Sequence, residues 1–168
     1  MKTGIFYSFS SGKTQSVAER IIREFGDNIE INDIEEIKGS KFSAYDLILI
    51  GVSTWFGGGL PDAWEDFLPE FKQVDFKDKK VAIFGLGNQQ GYPENFGDAI
   101  SVIVDLLEPK GAKIIGFTST EGYDFEASKS VRDNKFLGLV IDEETQPELT
   151  SGRIKNWVNQ IKEEFGKH

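Results

Sequence analysis

Residues 47–53 read Leu-Ile-Leu-Ile-Gly-Val-Ser, an apolar run without alternation. A strand with one wet face alternates apolar and polar residues. An unbroken run therefore implies a strand covered on both faces, as in parallel sheets flanked by helices. The rest of the chain fits that frame. Thr3–Ser8 predicts a first strand, Ile29–Asp33 a second, Val81–Gly85 a fourth and Lys113–Phe117 a fifth. Between them, Thr14–Phe25 predicts a helix with Val17, Ile21, Ile22 and Phe25 on one face. Pro61 can open a second helix, with Trp64, Phe67 and Leu68 at helical spacing. A third spans Phe96–Leu107, ahead of Pro109 and Gly111, and the last starts near Thr150 and buries Ile154, Trp157, Val158, Ile161 and Phe165. Alternating strands and helices predict an α/β fold: one domain over residues 1–168, with a doubly wound five-stranded parallel sheet of order 2-1-3-4-5 and helices on both faces. The stretch from Phe117 to Thr150 shows no clear helix, and Phe136–Ile141 looks like a strand. The fifth strand therefore reads as split by an insertion at about 118–137.

Composition narrows the chemistry. The absence of cysteine excludes disulfides, thiolate catalysis and cysteine-held iron–sulfur clusters. No apolar run approaches the roughly 20 residues that span a bilayer, and the first residues lack a secretory pattern, so a cytoplasmic location is expected. The net charge of −9 argues against nucleic acid and anionic membranes as partners. The acids are unevenly placed. Residues 81–108 carry Glu94, Asp98, Asp105 and Glu108 with no Lys or Arg, and residues 62–75 carry five acids against Lys72. The first 26 residues lean basic, with Lys2, Lys13, Arg20 and Arg23 against Glu19 and Glu24. Such a field can steer a basic partner, or simply keep the chain in solution.

In doubly wound sheets, ligands bind outside the carboxyl ends of the strands, where the strand order reverses. That rule selects three loops. The first, Ser8-Phe9-Ser10-Ser11-Gly12-Lys13-Thr14, carries four hydroxyls in seven residues and runs into a helix. Hydroxyls beside the N–H groups of a helix start suit a phosphate better than an ordinary cap. Gly12-Lys13-Thr14 matches the end of a nucleoside-triphosphate loop, but Tyr7 stands where that motif needs glycine. The other loops are Ser53-Thr54-Trp55-Phe56-Gly57-Gly58-Gly59-Leu60 and Gly85-Leu86-Gly87-Asn88-Gln89-Gln90-Gly91-Tyr92. A lone aromatic is usually core packing. Aromatics among glycines on two adjacent ligand loops suit a flat ring held between side chains, with Asn88 and Gln89 placed to read its edge.

These residues resemble those of the long-chain flavodoxins, and the resemblance covers essentially the whole chain. It rests on Gly4-Ile-Phe-Tyr7, Ser11-Gly-Lys-Thr14, Thr54-Trp55, Trp64-Glu-Asp-Phe67, Phe84-Gly-Leu-Gly87 with Gln89 and Gly91-Tyr92, and Gly122-Tyr-Asp-Phe125. It continues through Lys135-Phe136, Gly138-Leu139, Ile141-Asp-Glu143, Gln146 and Leu149-Thr150. The resemblance implies a flavodoxin-like fold and noncovalently bound flavin mononucleotide (FMN). Ser10, Ser11, Gly12, Lys13 and Thr14 would surround the phosphate. Thr54 and Trp55 would line the ribityl chain and the inner ring face, Tyr92 the outer face, and Asn88 the pyrimidine edge. Ser8, Ser53, Phe56, Gly57, Gly58, Gly87 and Gln89, from the same loops, complete the expected cofactor-binding set. Two positions depart from the family pattern: Phe9 replaces a threonine of the phosphate loop, and Asn88 replaces an aspartate at the ring edge.

The implied role is a low-potential one-electron carrier, a monomer shuttling between a reductase and an acceptor protein that dock on its acidic surface. Electron transfer needs no acid–base residue or metal, and the only histidine, His168, is the last residue. Gly57 and Gly58 would let a peptide turn its carbonyl toward flavin N5 when that atom gains a proton. An FMN-dependent quinone or NAD(P)H oxidoreductase is the rival enzyme, but Trp55 and Tyr92 would fill the space its substrate needs. A phosphate-receiving signalling domain would need acids after strand one and an aspartate after strand three, where Ser8-Phe9-Ser10 and Ser53-Thr54 stand.

Overall fold

A computed structural model describes residues 2–26, 28–55 and 58–166. Phe56, Gly57 and His168, all singled out above, lie outside the described residues. The strands are β1 (Thr3–Tyr7), β2 (Ile29–Asp33), β3 (Leu47–Ser53), β4 (Lys80–Leu86), β5 (Lys113–Ile115), β6 (Thr118–Ser119), β7 (Val131–Arg132), β8 (Lys135–Phe136) and β9 (Leu139–Ile141). The helices are α1 (Gly12–Phe25), α2 (Asp62–Phe71), α3 (Ala99–Leu107) and α4 (Thr150–Gly166). The main sheet is parallel, in the order β2-β1-β3-β4-β5.

The 47–53 run behaves as its composition demands. Leu47 and Leu49 face a core built with Val17, Ala18 and Ile21 of α1 and Ile154, Trp157, Val158 and Ile161 of α4. Ile48, Ile50 and Val52 face the opposite core, with Trp64, Phe67 and Phe71 of α2 and Ile100, Ile103, Val104 and Leu107 of α3. β3 therefore alternates between two apolar layers rather than between core and water. Gly51 interrupts the run because a side chain there would overlap the ring of Phe84. That ring packs edge-on against Trp157 at 6.2 Å between centroids.

The fifth position in the sheet is shared by two segments. Lys80–Ala82 of β4 pair with Lys113–Ile115 of β5, and Phe84–Leu86 pair with Leu139–Ile141 of β9. Residues in between form a small antiparallel sheet of order β6-β8-β7. Two expected strand limits shift. Lys113–Phe117 stops at Ile115, where Gly116 takes φ +82°, and Phe136–Ile141 divides into β8, ending at Phe136, and β9, beginning at Leu139, with Leu137 and Gly138 between them. The helix expected from Phe96 starts at Ala99, since Gly97 has φ +66° and Phe96 bonds instead to the Ala127 carbonyl.

Gly138 lets β9 rejoin β4: a methyl group there would fall inside the envelope of the Ile83 carbonyl oxygen. Backbone cannot yield as a flexible side chain does. Gly138→Ala is expected to lower unfolding free energy by about 3 kcal/mol or more, read by urea denaturation. A loss below about 1 kcal/mol would contradict this approach.

Candidate functional site

Strand order reverses between β1 and β3, so the loops after β1, β3 and β4 open on one edge. Two adjoining clefts lie there, of about 370 and 330 Å³, and Ser11, Ser53 and Trp55 line both.

The first cleft gathers Ser8, Ser10, Ser11 and Thr14 with Ser53, Trp55 and the start of α2. The loop is shaped by a turn, Ser11 N–H donating to Ser8 O at 3.2 Å, and α1 begins as Gln15 N–H bonds Ser11 O at 2.8 Å. Ser11 Oγ donates to Thr14 Oγ1 at 2.9 Å. The first-turn N–H groups of a helix have no intrahelical acceptor and carry its positive dipole end. A side chain added at Gly12 would meet nothing within 4 Å, so the glycine keeps the approach to this turn open. Three carboxylates, Glu35, Asp62 and Asp66, also line this cleft. Glu35 was not among the expected site residues. Its Oε2 accepts the Ser8 and Ser10 hydroxyls at 2.7 and 2.6 Å. Hydrogen bonds from Ser10 and then Ser8 hold its carboxyl below the ordinary value. Phe9 lines neither cleft; its half-exposed ring leans on Tyr7 at 5.1 Å.

The second cleft joins Gly12 and Lys13 to Thr54, Trp55, Leu86, Gly87, Asn88 and Tyr92, with Glu143 and Glu144 from the loop after β9. Trp55 and Tyr92 are each 49% exposed, unusual for large aromatics, and line the same cleft. The Lys13 ammonium pairs with Glu144, which holds it on this side rather than over the hydroxyl loop. The Thr54 hydroxyl oxygen accepts from Ala99 N–H at 3.0 Å, tying the loop to the start of α3. Trp55 is fixed by a tight turn: its N–H donates to Gly59 O and its carbonyl accepts from Gly58 N–H, both at 2.9 Å. Gly87 has no room for a side chain, which would press on the Phe96 ring at 2.9 Å.

The expected ring-edge readers divide. Asn88 lines the cleft, and its Oδ1 accepts from Gln90 and Gly91 N–H at 3.1 and 2.7 Å, closing the turn that presents Tyr92. Gln89 faces inward instead. It is 3% exposed and gives its amide hydrogens to Asp142 Oδ2 at 2.9 Å and Thr145 Oγ1 at 3.1 Å. The donors fit a ligand with an anionic end at Ser11–Thr14 and a flat apolar end between Trp55 and Tyr92.

The Flavodoxin family's sequence profile matches residues 5–157. The chain belongs to the flavodoxin family. Among curated flavodoxins, that of Synechococcus elongatus is 46% identical over 167 residues, covering 98% of each chain. Flavodoxin 1 of Escherichia coli is 44% identical over 165 residues, covering 97% of this chain and 94% of that one. A crystal structure of Fusobacterium nucleatum flavodoxin bound to flavin mononucleotide superposes with a TM-score of 0.92 at 34% identity, covering 98% of this chain and 99% of that one.

Gly58 has φ +84°, and a Cβ there would sit 2.8 Å from Asp98 Oδ2. Asp98 is buried, and its other oxygen accepts Lys129 N–H at 2.8 Å, so it has little freedom to withdraw. Gly58→Ala is expected to destabilise the fold by about 1–3 kcal/mol, read as a lower urea midpoint. An unchanged midpoint would show that the turn re-forms without a left-handed residue.

Proposed function

We propose that this flavodoxin is a single-domain, cytoplasmic, monomeric carrier that holds FMN noncovalently across the two clefts and passes single electrons between proteins. The observation that carries this reading is one continuous edge: a helix start with Ser11, Gly12 and Thr14 at one end, and two half-exposed aromatics, Trp55 and Tyr92, at the other. When bound, FMN supplies a ring that accepts and releases electrons singly. The chain's own residues then have separate tasks. The first turn of α1, with Ser11 and Thr14, holds the phosphate through N–H and O–H donors. Ser53 and Thr54 border the ribityl chain, and Trp55 and Tyr92 cover the ring faces and exclude water. Gly58 and Gly87 let backbone approach, Asn88 sets the charge at the ring edge, and Gln89 holds Asn88's turn from behind.

The rim favours a basic partner. Asp62 and Asp66 border the first cleft and Glu143 and Glu144 the second, next to the exposed aromatics. We assign the docking of reductase and acceptor to this face. Aromatic cover on both sides of the ring favours a carrier over an oxidoreductase with its own substrate pocket. The test is a reductive titration of the purified, FMN-loaded protein. Two separate one-electron steps support the carrier, whereas a chain that takes up no FMN overturns it.

Asn88→Asp isolates the edge charge, because an aspartate oxygen can still accept from Gln90 and Gly91 N–H. A unit charge about 10 Å from the ring, at an effective dielectric near 20, is worth about 1.7 kcal/mol, or roughly 70 mV for one electron. The second reduction adds negative charge, so its potential is expected to fall by tens of millivolts, measured by redox titration. A rise or no change would remove Asn88 from the ring edge.

A further inference from the structure

Glu35 reaches the hydroxyl loop from the turn after β2. Its Oε2 accepts the Ser8 hydroxyl at 2.7 Å, the Ser10 hydroxyl at 2.6 Å and the Ser10 N–H at 3.4 Å. The turn is locked to the same loop, since Asp33 Oδ1 accepts both Phe9 N–H at 3.2 Å and Glu35 N–H at 3.1 Å. A serine hydroxyl has one hydrogen to give, and an ionised carboxylate can only accept. While Glu35 holds these hydrogens, Ser8 and Ser10 turn lone pairs, not donors, toward any other anion. Ser11 and Thr14 line the same cleft, so an anion on the first turn of α1 meets both spent hydroxyls and a second negative charge.

We infer that Glu35 is an internal competitor for the phosphate site, lowering the loop's affinity for the phosphorylated flavin by occupying the Ser8 and Ser10 hydroxyls with a carboxylate of the chain itself. This rests on reading the loop as the FMN phosphate site. A purely structural Glu35, holding the loop in shape, makes the opposite prediction: loss of its charge would loosen binding. The competitor acts through phosphate alone. Riboflavin, which has the same ring and ribityl chain without the phosphate, is the control.

The experiment titrates flavin-free full-length chain, wild type and Glu35→Gln, with FMN and with riboflavin, following quenching of flavin fluorescence. Glutamine keeps the size and an acceptor oxygen but drops the charge. Glu35 is exposed, so the variant is expected to fold normally. The inference expects Glu35→Gln to bind FMN about tenfold tighter, with riboflavin affinity unchanged within about twofold. Inorganic phosphate should likewise raise the unfolding midpoint of the variant more than that of wild type. FMN affinity that is unchanged or weaker in Glu35→Gln overturns the inference, as does equal tightening of both flavins, which would report a change of loop shape. Wild type binding riboflavin as tightly as FMN would instead overturn the phosphate reading of the loop, a failure visible without the variant.

Discussion

The pairing of β3 with β4 is the constraint on which the rest of the molecule depends. All seven residues of each strand are in register, from Leu47 opposite Lys80 to Ser53 opposite Leu86, and both faces of the pair are buried. The site inherits its geometry from this register. Because Ser53 and Leu86 end together, the loops carrying Trp55 and Tyr92 leave the sheet side by side. One further bond, Thr54 N–H to Leu86 O at 3.2 Å, carries the pairing into the loop. A slip of one residue would exchange the two apolar layers and move one aromatic loop relative to the other.

Electrostatics around the anion end run against intuition. Among the described residues, no Lys or Arg lines the first cleft, whereas Glu35, Asp62 and Asp66 do. A carboxylate about 6 Å from a phosphate, at an effective dielectric near 20, opposes it by roughly 3 kcal/mol per unit charge. A hydrogen bond to a charged group returns about 1.5–3 kcal/mol, and a helix N-terminus rarely more than about 2. Several directed donors must therefore act together, and the sequence places Ser11, Gly12 and Thr14 within one turn. Under the proposed reading, an anion held here would be recognised by N–H and O–H groups instead of cations, in keeping with a chain of net charge −9. Its selectivity would then come from geometry more than from field.

What the sequence made legible follows periodicity and local chemistry. The two-faced run at 47–53, the helical stripes, the loops at the strand ends and the split of the fifth strand all leave marks within a few neighbouring residues. The missed features are contacts between residues remote in sequence. The pairing of Lys13 with Glu144, 131 residues away, leaves no local mark. Gln89 was expected at the ring edge, but Asp142, 53 residues on, draws it inward. Glu35 sits in an unremarkable turn, and nothing local marks it as the acceptor for serines 25 and 27 residues earlier. Gly97 delays the start of α3 and Gly116 ends β5 early, because positive φ is a property of backbone geometry that composition only permits.

Asp142 shows how the ring-edge loop can be rigid while its charge stays adjustable. It is fully buried and accepts five hydrogen bonds: Oδ2 takes the Gln89 N–H, the Gln89 side-chain amide and the Thr145 hydroxyl, and Oδ1 takes the N–H groups of Glu144 and Thr145. Buried carboxylates are costly unless their lone pairs are met, so these donors are held as a set, and the loops after β4 and β9 are held with them. Gln89 anchors the turn from the inside, which frees Asn88, the preceding residue, to face outward. The turn needs only an acceptor oxygen at position 88, and both the amide found here and the carboxylate usual in the family provide one. Position 88 can therefore change charge without the loop being rebuilt, and under the proposed reading this would tune the potential of a bound ring separately from the affinity that holds it.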